Sequence, residues 1–230
     1  MDLVKPNERV DDLLVNGLKI IQNPSSFRFG CDAVELANFV TGGVRDKAVD
    51  LGSGSGIITI LLAGKKKIPC IGVEIQPEMA DMSRRSIELN GLSDSASVIC
   101  SPMQKVTARI GRESASIVVC NPPYRRAGSG EKQLSESVAL ARHEIAVTLR
   151  EVVETANALL KNGGSFYLVH QTERLAEVIS ECSGAGLEPK VLQILTPAEG
   201  KKPHLFLLKC KKGGSVGLEI LPERVIDTVV

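Results

Sequence analysis

Ala48–Gly56, AVDLGSGSG, is the stretch that most constrains what this chain can fold into. Ala48-Val49-Asp50-Leu51 is a short apolar run bounded by a turn signal, the pattern of a buried strand. Gly52, Gly54 and Gly56 follow, and Ile57-Ile58-Thr59-Ile60-Leu61-Leu62 continues as an apolar run that reads as a helix. Strand, glycine turn and helix form the opening unit of an α/β nucleotide-binding fold. Glycine has no Cβ to hold a ligand away, so the backbone N–H groups of such a turn can approach one closely. The G-x-G-x-x-G spacing of dinucleotide sites is not met, because the sixth position from Gly52 is Ile57. A nicotinamide cofactor is therefore not the first choice.

The rest of the chain alternates around this unit. Helix 56–64 precedes a strand over 69–74, helix 77–90, a strand over 96–100, a short helical piece near 103–110 and a strand over 115–120. A polar loop spans 125–137 and a helix 138–161. A strand over 165–170, a helix over 172–183 and strands over 187–195 and 203–211 complete the pattern. Strands alternating with helices imply a doubly wound, mostly parallel sheet. Seven strands are expected, the last antiparallel because no helix separates it from its predecessor. Before this core, Asn16-Gly17 lies between two apolar segments and signals a β-hairpin with a type I′ turn. A helix over 33–40 follows, with Asp32 as its N-cap and Thr41-Gly42-Gly43 as its stop. The expected division is one domain over 1–230: an appendage over 1–47, a core over 48–212 and a tail over 213–230.

Composition narrows the function classes. A net charge of +1 gives no overall basic field, so nucleic-acid contacts would have to come from local clusters. The six cysteines form no C-x-x-C pair, which suits reduced thiols in a cytoplasmic protein and gives no metal site. No apolar run approaches a membrane span, and the N-terminus is too polar for a signal peptide.

Two further sites carry chemistry. Glu74 closes the strand after the glycine turn, where a carboxylate can accept hydrogen bonds from both hydroxyls of a ribose. Asn121-Pro122-Pro123-Tyr124 follows the fourth core strand. Two prolines preset the backbone, so the Asn121 side-chain oxygen and the Pro122 carbonyl can together accept both N–H bonds of an exocyclic amine. Tyr124 can stack on the ring that carries it. Such an arrangement directs the amine lone pair at an electrophile and needs no strong general base.

Asp50–Gly56, Glu74 and Asn121–Tyr124 together resemble class I S-adenosylmethionine (SAM) methyltransferases acting on planar nitrogen. More narrowly, the chain resembles the bacterial tRNA1(Val) adenine-N6 methyltransferase family, through ERVDDLLVNGLKIIQ, FRFGCDAVELANFV, Ala141–Glu144 and KKGGSVGLEILPE as well. The resemblance implies SAM as cofactor, with Asp50, Gly52, Ser53, Gly54 and Gly56 in its loop. Glu74, Ile75, Ser101, Met103 and Asn121 would line the rest of the cofactor site. Asp50 would orient the loop or stand near the cationic part of SAM. The family's acidic residue after the third strand is replaced by the stretch Cys100-Ser101-Pro102-Met103. A Ser101 hydroxyl, a backbone group or Gln104 would serve in its place. The resemblance further implies tRNA as substrate, with the adenine 3′ of the anticodon as target, and Asn121, Pro122 and Tyr124 as the catalytic set. The chain would act as a monomer or homodimer. Guanine-N2 methylation of rRNA and protein-glutamine methylation are the rival activities; a SAM-binding RNA-interaction protein without turnover is the rival outside enzymes.

Arg125 and Arg126 follow the motif and are either phosphate contacts or solvated loop residues. Lys65–Lys67, Lys201-Lys202 and Lys211-Lys212 read as solvated element ends, and His143, His170 and His204 receive no catalytic role. Phe27 and Phe29 read as core.

Overall fold

Residues 3–23, 30–122 and 147–226 are described by the computed structural model of the chain. Asn16 and Gly17 take φ of 52° and 67°, the left-handed pair that a type I′ turn requires. They join β1 (Arg9–Asp12) to antiparallel β2 (Lys19–Gln22). After α1 (Cys31–Phe39) the core begins with β3 (Ala48–Leu51). The chain then runs through α2 (Ile57–Ile60), β4 (Cys70–Glu74), α3 (Pro77–Leu89), β5 (Ala96–Cys100), α4 (Thr107–Ile110) and β6 (Ala115–Cys120). α5 (Leu149–Leu159), β7 (Leu160–Gln171), α6 (Leu175–Gly184), β8 (Leu187–Thr196) and β9 (Leu205–Lys212) follow.

The seven core strands lie in the order β5-β4-β3-β6-β7-β9-β8, and only β9 runs against its neighbours. This is the expected architecture. The tail adds what the sequence reading did not foresee: β10 (Glu219–Ile220) and β11 (Arg224–Val225) pair with β8 one after the other, extending the sheet to nine strands among the described residues. Two-residue strands are too short to carry a period, so they leave no sequence signal.

Side chains alternate across the sheet as the pleat demands. Ile117 and Val119 of β6 pack with Leu36, Ile58 and Leu61 from α1, α2 and the turn after it, while Val118 and Cys120 pack with Val153 and Val178 from α5 and α6. Burying each such aliphatic side chain stabilises the fold by roughly 1.5–3 kcal/mol. The N-terminal hairpin is fastened to α3 by side chains that stand in for a strand edge. Ser86 accepts from the Ile21 N–H at 3.0 Å, and Asn90 bonds both the N–H and the carbonyl of Lys19. Arg85 adds a bidentate pair with Glu8.

Several boundaries differ from expectation. Gly30, not Asp32, is the N-cap of α1; Asp32 sits inside the first turn and its Oδ1 accepts from the Ala33 N–H at 2.9 Å. The helix expected over 138–161 begins, among the described residues, at Leu149. Thr148 caps it, with the Thr148 hydroxyl and the Glu151 carboxylate satisfying each other's backbone N–H. That reciprocal box fixes the start of the helix, and the 138–146 part of the expected helix lies outside the described residues. α2 gives way to a wide turn, Leu61–Lys65, closed by Lys66 N–H to the Leu61 carbonyl. Lys65 and Lys66 are not merely solvated: Lys66 Nζ donates to the carbonyls of Asn38 and Val40 and so caps α1, while Lys65 bonds the Asn38 side chain. Lys212 does the same for α5 through the Asn157 and Leu160 carbonyls. His170 is buried against Phe206; loss of hydration, reinforced by Arg174, lowers its pKa to about 4 and keeps it neutral. The six cysteines are free thiols. No helix of the described residues is long and apolar enough to cross a membrane.

Candidate active site

Register places the site. Leu51 pairs with Val73 on one side and with Cys120 on the other, and Glu74 pairs with Cys100. The carboxyl ends of β5, β4, β3 and β6 are therefore level, and Ser101, Glu74, Gly52 and Asn121 stand in that order along one edge. Strand spacing of about 4.8 Å makes this row roughly 15 Å long. The chain winds from β3 outward to β4 and β5, then returns to place β6 on the other side of β3. That reversal opens a crevice where open α/β sheets bind ligands.

The glycine turn forms the middle of the row. φ is 74° at Gly52, 54° at Gly54 and 91° at Gly56, a conformation that side-chain-bearing residues rarely adopt. Gly56 has a second reason to be glycine, because a Cβ there would lie 2.1 Å from Ser83 Oγ on α3. Four of the turn's N–H groups are paired within the protein. Gly52 and Ser53 both donate to the Val73 carbonyl, Gly54 donates to Glu74, and Gly56 donates to the Ser53 carbonyl. Gly52 and Gly54 also leave space beside the turn: Cβ atoms on them would meet nothing nearer than the methyl carbons of Met103 and Met79, each at 3.8 Å.

Two buried acids flank this turn. Glu74 accepts from Gly54 N–H at 2.8 Å through Oε2 and from Gln76 N–H at 2.9 Å through Oε1. Both oxygens are thus oriented, and each keeps a further lone pair for a ligand hydroxyl. Asp50 is 1% exposed; its Oδ2 accepts from the Thr59 hydroxyl at 2.8 Å, and its Oδ1 has no hydrogen-bond partner among the described residues. Burial pushes its pKa up to about 7, against the bond from Thr59. Ser53 Oγ and Ser83 Oγ are likewise buried without a partner among the described residues.

At the end of β5, Ser101 is buried, its N–H bonded to the Glu74 carbonyl and its hydroxyl to the Pro102 carbonyl. Ile75 is half-buried and receives the Cys100 thiol on its carbonyl. Gln104, one candidate for the missing acid, donates its amide to Glu151 on α5 at 3.3 Å. At the end of β6, Asn121 is half-buried, Pro122 is buried, and Asn121 Nδ2 donates to Asp32 Oδ2 at 3.1 Å. Pro123, Tyr124, Arg125, Arg126, Ala141–Glu144, Phe27 and Phe29 lie outside the described residues.

The edge thus brings together Gly52–Gly56, Glu74, Ser101 and Asn121 as the sequence predicts. It also holds residues that sequence reasoning passed over. Asp32 was read only as a helix cap. Thr59 looked like part of an apolar helix. Gly72 left a clue, since a glycine inside a strand marks a close approach: a Cβ there would lie 2.8 Å from Ser53 Oγ and 2.9 Å from Thr59 Oγ1. Chemically, the row offers an oriented carboxylate on one side of the crevice and an amide beside a proline carbonyl on the other.

The family model described as the methyltransferase small domain matches residues 34–185. A tRNA1(Val) (adenine(37)-N6)-methyltransferase of Shewanella amazonensis is 28% identical over 193 residues, covering 80% of this chain and 81% of its own. Among solved structures, an Agrobacterium tumefaciens protein described as a predicted O-methyltransferase matches with a TM-score of 0.65 and 24% identity, covering 84% of this chain and 85% of its own. Pyrococcus horikoshii TYW2 in complex with MeSAdo matches with a TM-score of 0.66 and 14% identity, over 91% of this chain and 73% of its own.

Proposed function

The chain belongs to the methyltransferase small domain family and uses SAM, and from that premise we propose that it methylates N6 of an adenine in tRNA, the adenine 3′ of the anticodon. The observation that carries the reading is the seating of Asn121-Pro122 at the end of β6, one strand from the glycine turn and level with it. The name borne by the Shewanella relative supports the choice of adenine and of tRNA.

The residues present suit SAM. Gly52 and Gly54 leave the turn open on the ligand side, Ser53 lies between them, and Glu74 holds oriented acceptors for the ribose hydroxyls. Asp50 lies beneath the turn with an unpartnered oxygen, and Ile75, Ser101 and Met103 flank the adenine side. SAM supplies a methyl group made electrophilic by its sulfonium. The Asn121 oxygen and the Pro122 carbonyl accept the two N–H bonds of the adenine amine and stop its rotation. They would aim its lone pair at the methyl group that bound SAM supplies, and the proton shed by the methylated amine would pass to water. Orientation and approach of this kind supply about 7–11 kcal/mol of barrier reduction. Tyr124 stacks on the base, and Arg125 and Arg126 bind tRNA phosphate. Changing both arginines to Ala should flatten the salt dependence of tRNA binding and leave SAM affinity unchanged. A tRNA substrate puts the site of action in the cytoplasm, with residues 1–230 working as one unit.

The test is incubation with labelled SAM and total tRNA, followed by nucleoside mass spectrometry. N6-methyladenosine in tRNA is the expected product. Label in N2-methylguanosine or in a protein glutamine overturns the substrate and leaves the fold and cofactor in place.

A further inference from the structure

Asp32 and Asn121 are 89 positions apart in the chain, yet they meet at the substrate edge of the sheet through the 3.1 Å bond from Nδ2 to Oδ2. We propose that Asp32 is a positioning residue for methyl transfer: it sets the rotation of the Asn121 amide so that the oxygen, and not the nitrogen, faces the amine. The proposal rests on the reading of Asn121 as an acceptor for that amine.

The need for such a residue follows from the shape of an amide. Its two ends are nearly equal in size and opposite in chemistry, one an acceptor and the other a double donor. An amine whose N–H bonds must be held gains only from the acceptor end. A half-turn of the side chain would present N–H to N–H, and the amine would be released or misdirected. A carboxylate is an acceptor only, so the amide end that faces it has to be the nitrogen. The bond is charge-assisted and about twice as strong as a neutral one. Asp32 thus decides the amide's orientation without touching substrate.

Asp32 is itself held. Its Oδ1 accepts from the Ala33 N–H at 2.9 Å, and the carboxylate folds over Gly30, where a Cβ would lie 2.6 Å from that oxygen. An acid in the first turn is also well placed against the helix dipole. α1, which carries it, is fastened to the core along its length. Leu36 and Ala37 are buried, Lys66 caps its last carbonyls, and Glu35 pairs with Arg224 of the tail at 2.8 Å. Thr41, just past the helix, bonds the Tyr167 hydroxyl at 2.8 Å. The hairpin-and-helix segment before the glycine turn therefore completes the transfer site, and the tail braces it.

The experiment measures kcat and KM with tRNA, and SAM affinity by calorimetry, for the full chain. Asp32→Ala should lower kcat about tenfold to a hundredfold, the loss typical of a hydrogen bond to a charged group, with SAM affinity within about twofold of wild type. Asp32→Asn keeps an acceptor oxygen but adds a donor that tolerates the turned amide, so it should recover kcat only in part; Asp32→Ser, too short to reach Asn121, should recover none. In an Asn121→Ala background, Asp32→Ala should cause no further loss, because the group it positions is gone. Lost SAM affinity with kcat preserved would make Asp32 a cofactor contact and overturn the proposal. So would an equal loss in the Asn121→Ala background. Should Asp32→Ala fail to fold, the Asn and Ser variants decide: equal activity in both overturns it. Wild-type turnover by Asn121→Ala would instead overturn the parent reading of that residue.

Discussion

The two sides of the sheet's switch point are built in opposite ways. On the β4 side every element comes from one continuous stretch: the turn that follows β3, and Glu74 at the end of the very next strand, which reaches back to the Gly54 N–H. On the β6 side, Asn121 depends on Asp32 from a helix that precedes the core altogether. The proposed cofactor half is encoded locally and closes on itself with backbone hydrogen bonds. The proposed amine half draws on a residue of α1. Damage to the first should therefore show as lost SAM affinity, and damage to the second as lost turnover.

The sharpest way to break the cofactor half is Gly56→Val. A β-branched residue at φ 91° is strained by roughly 1–2 kcal/mol, and its Cβ would collide with Ser83 on α3, an overpacking that adds about 1–3 kcal/mol. Denaturant titration should register a loss of several kcal/mol, and SAM binding should be absent.

Asp50→Asn tests the buried acid of that half through its response to pH. Folded Asp50 has a pKa of about 7 against an ordinary 3.8, because burial disfavours its charge. Between those values the folded chain keeps a proton that the unfolded chain has lost, so the stability Asp50 contributes is intact below about pH 4 and declines as pH rises towards 7. Asn has no proton to lose. Relative to wild type, the variant should gain up to about 1.4 kcal/mol per pH unit across that window, readable in urea titrations at pH 4.5 and 7. A parallel pH profile for the two proteins would remove the buried-acid account.

Glu74→Ala should weaken SAM binding about tenfold to a hundredfold in calorimetry, since bonds to the ribose and the brace on Gly54 are lost together. Turnover at saturating SAM should change far less. Equal affinity for variant and wild type would detach Glu74 from the cofactor.

Lys66→Ala gives the smallest effect. It leaves the carbonyls of Asn38 and Val40 without their cap and should cost about 1 kcal/mol of stability, seen as a Tm a few degrees lower. Because Lys66 anchors α1, any loss of activity should fall on turnover and not on SAM affinity.

What the sequence discloses follows the same division. Strands β3, β5 and β6 appear at the residues read from the apolar runs, because each is mostly apolar and is followed within two residues by glycine or proline. Glu74 and Asn121 could be placed because both end such strands. Asp32 could not, since its partner is fixed by packing between distant segments and its sequence context offers a plausible local role as a cap. Lys66 hid in a charge run for the same reason. Thr148 is the reverse case: its capping box is a local signal, visible as Thr148 and Glu151, yet the apolar periodicity running past it carries a helix through Val147 and Thr148, where the structure has none.

The most direct test of the account is the transfer rate of Asn121→Ala under saturating SAM and tRNA, measured beside its SAM affinity. Loss of the oriented acceptor should lower kcat by about a hundredfold or more while calorimetry returns an affinity close to wild type, because Asn121 acts on the amine mainly in the transition state. Methyl transfer by Asn121→Ala at the wild-type rate would contradict it.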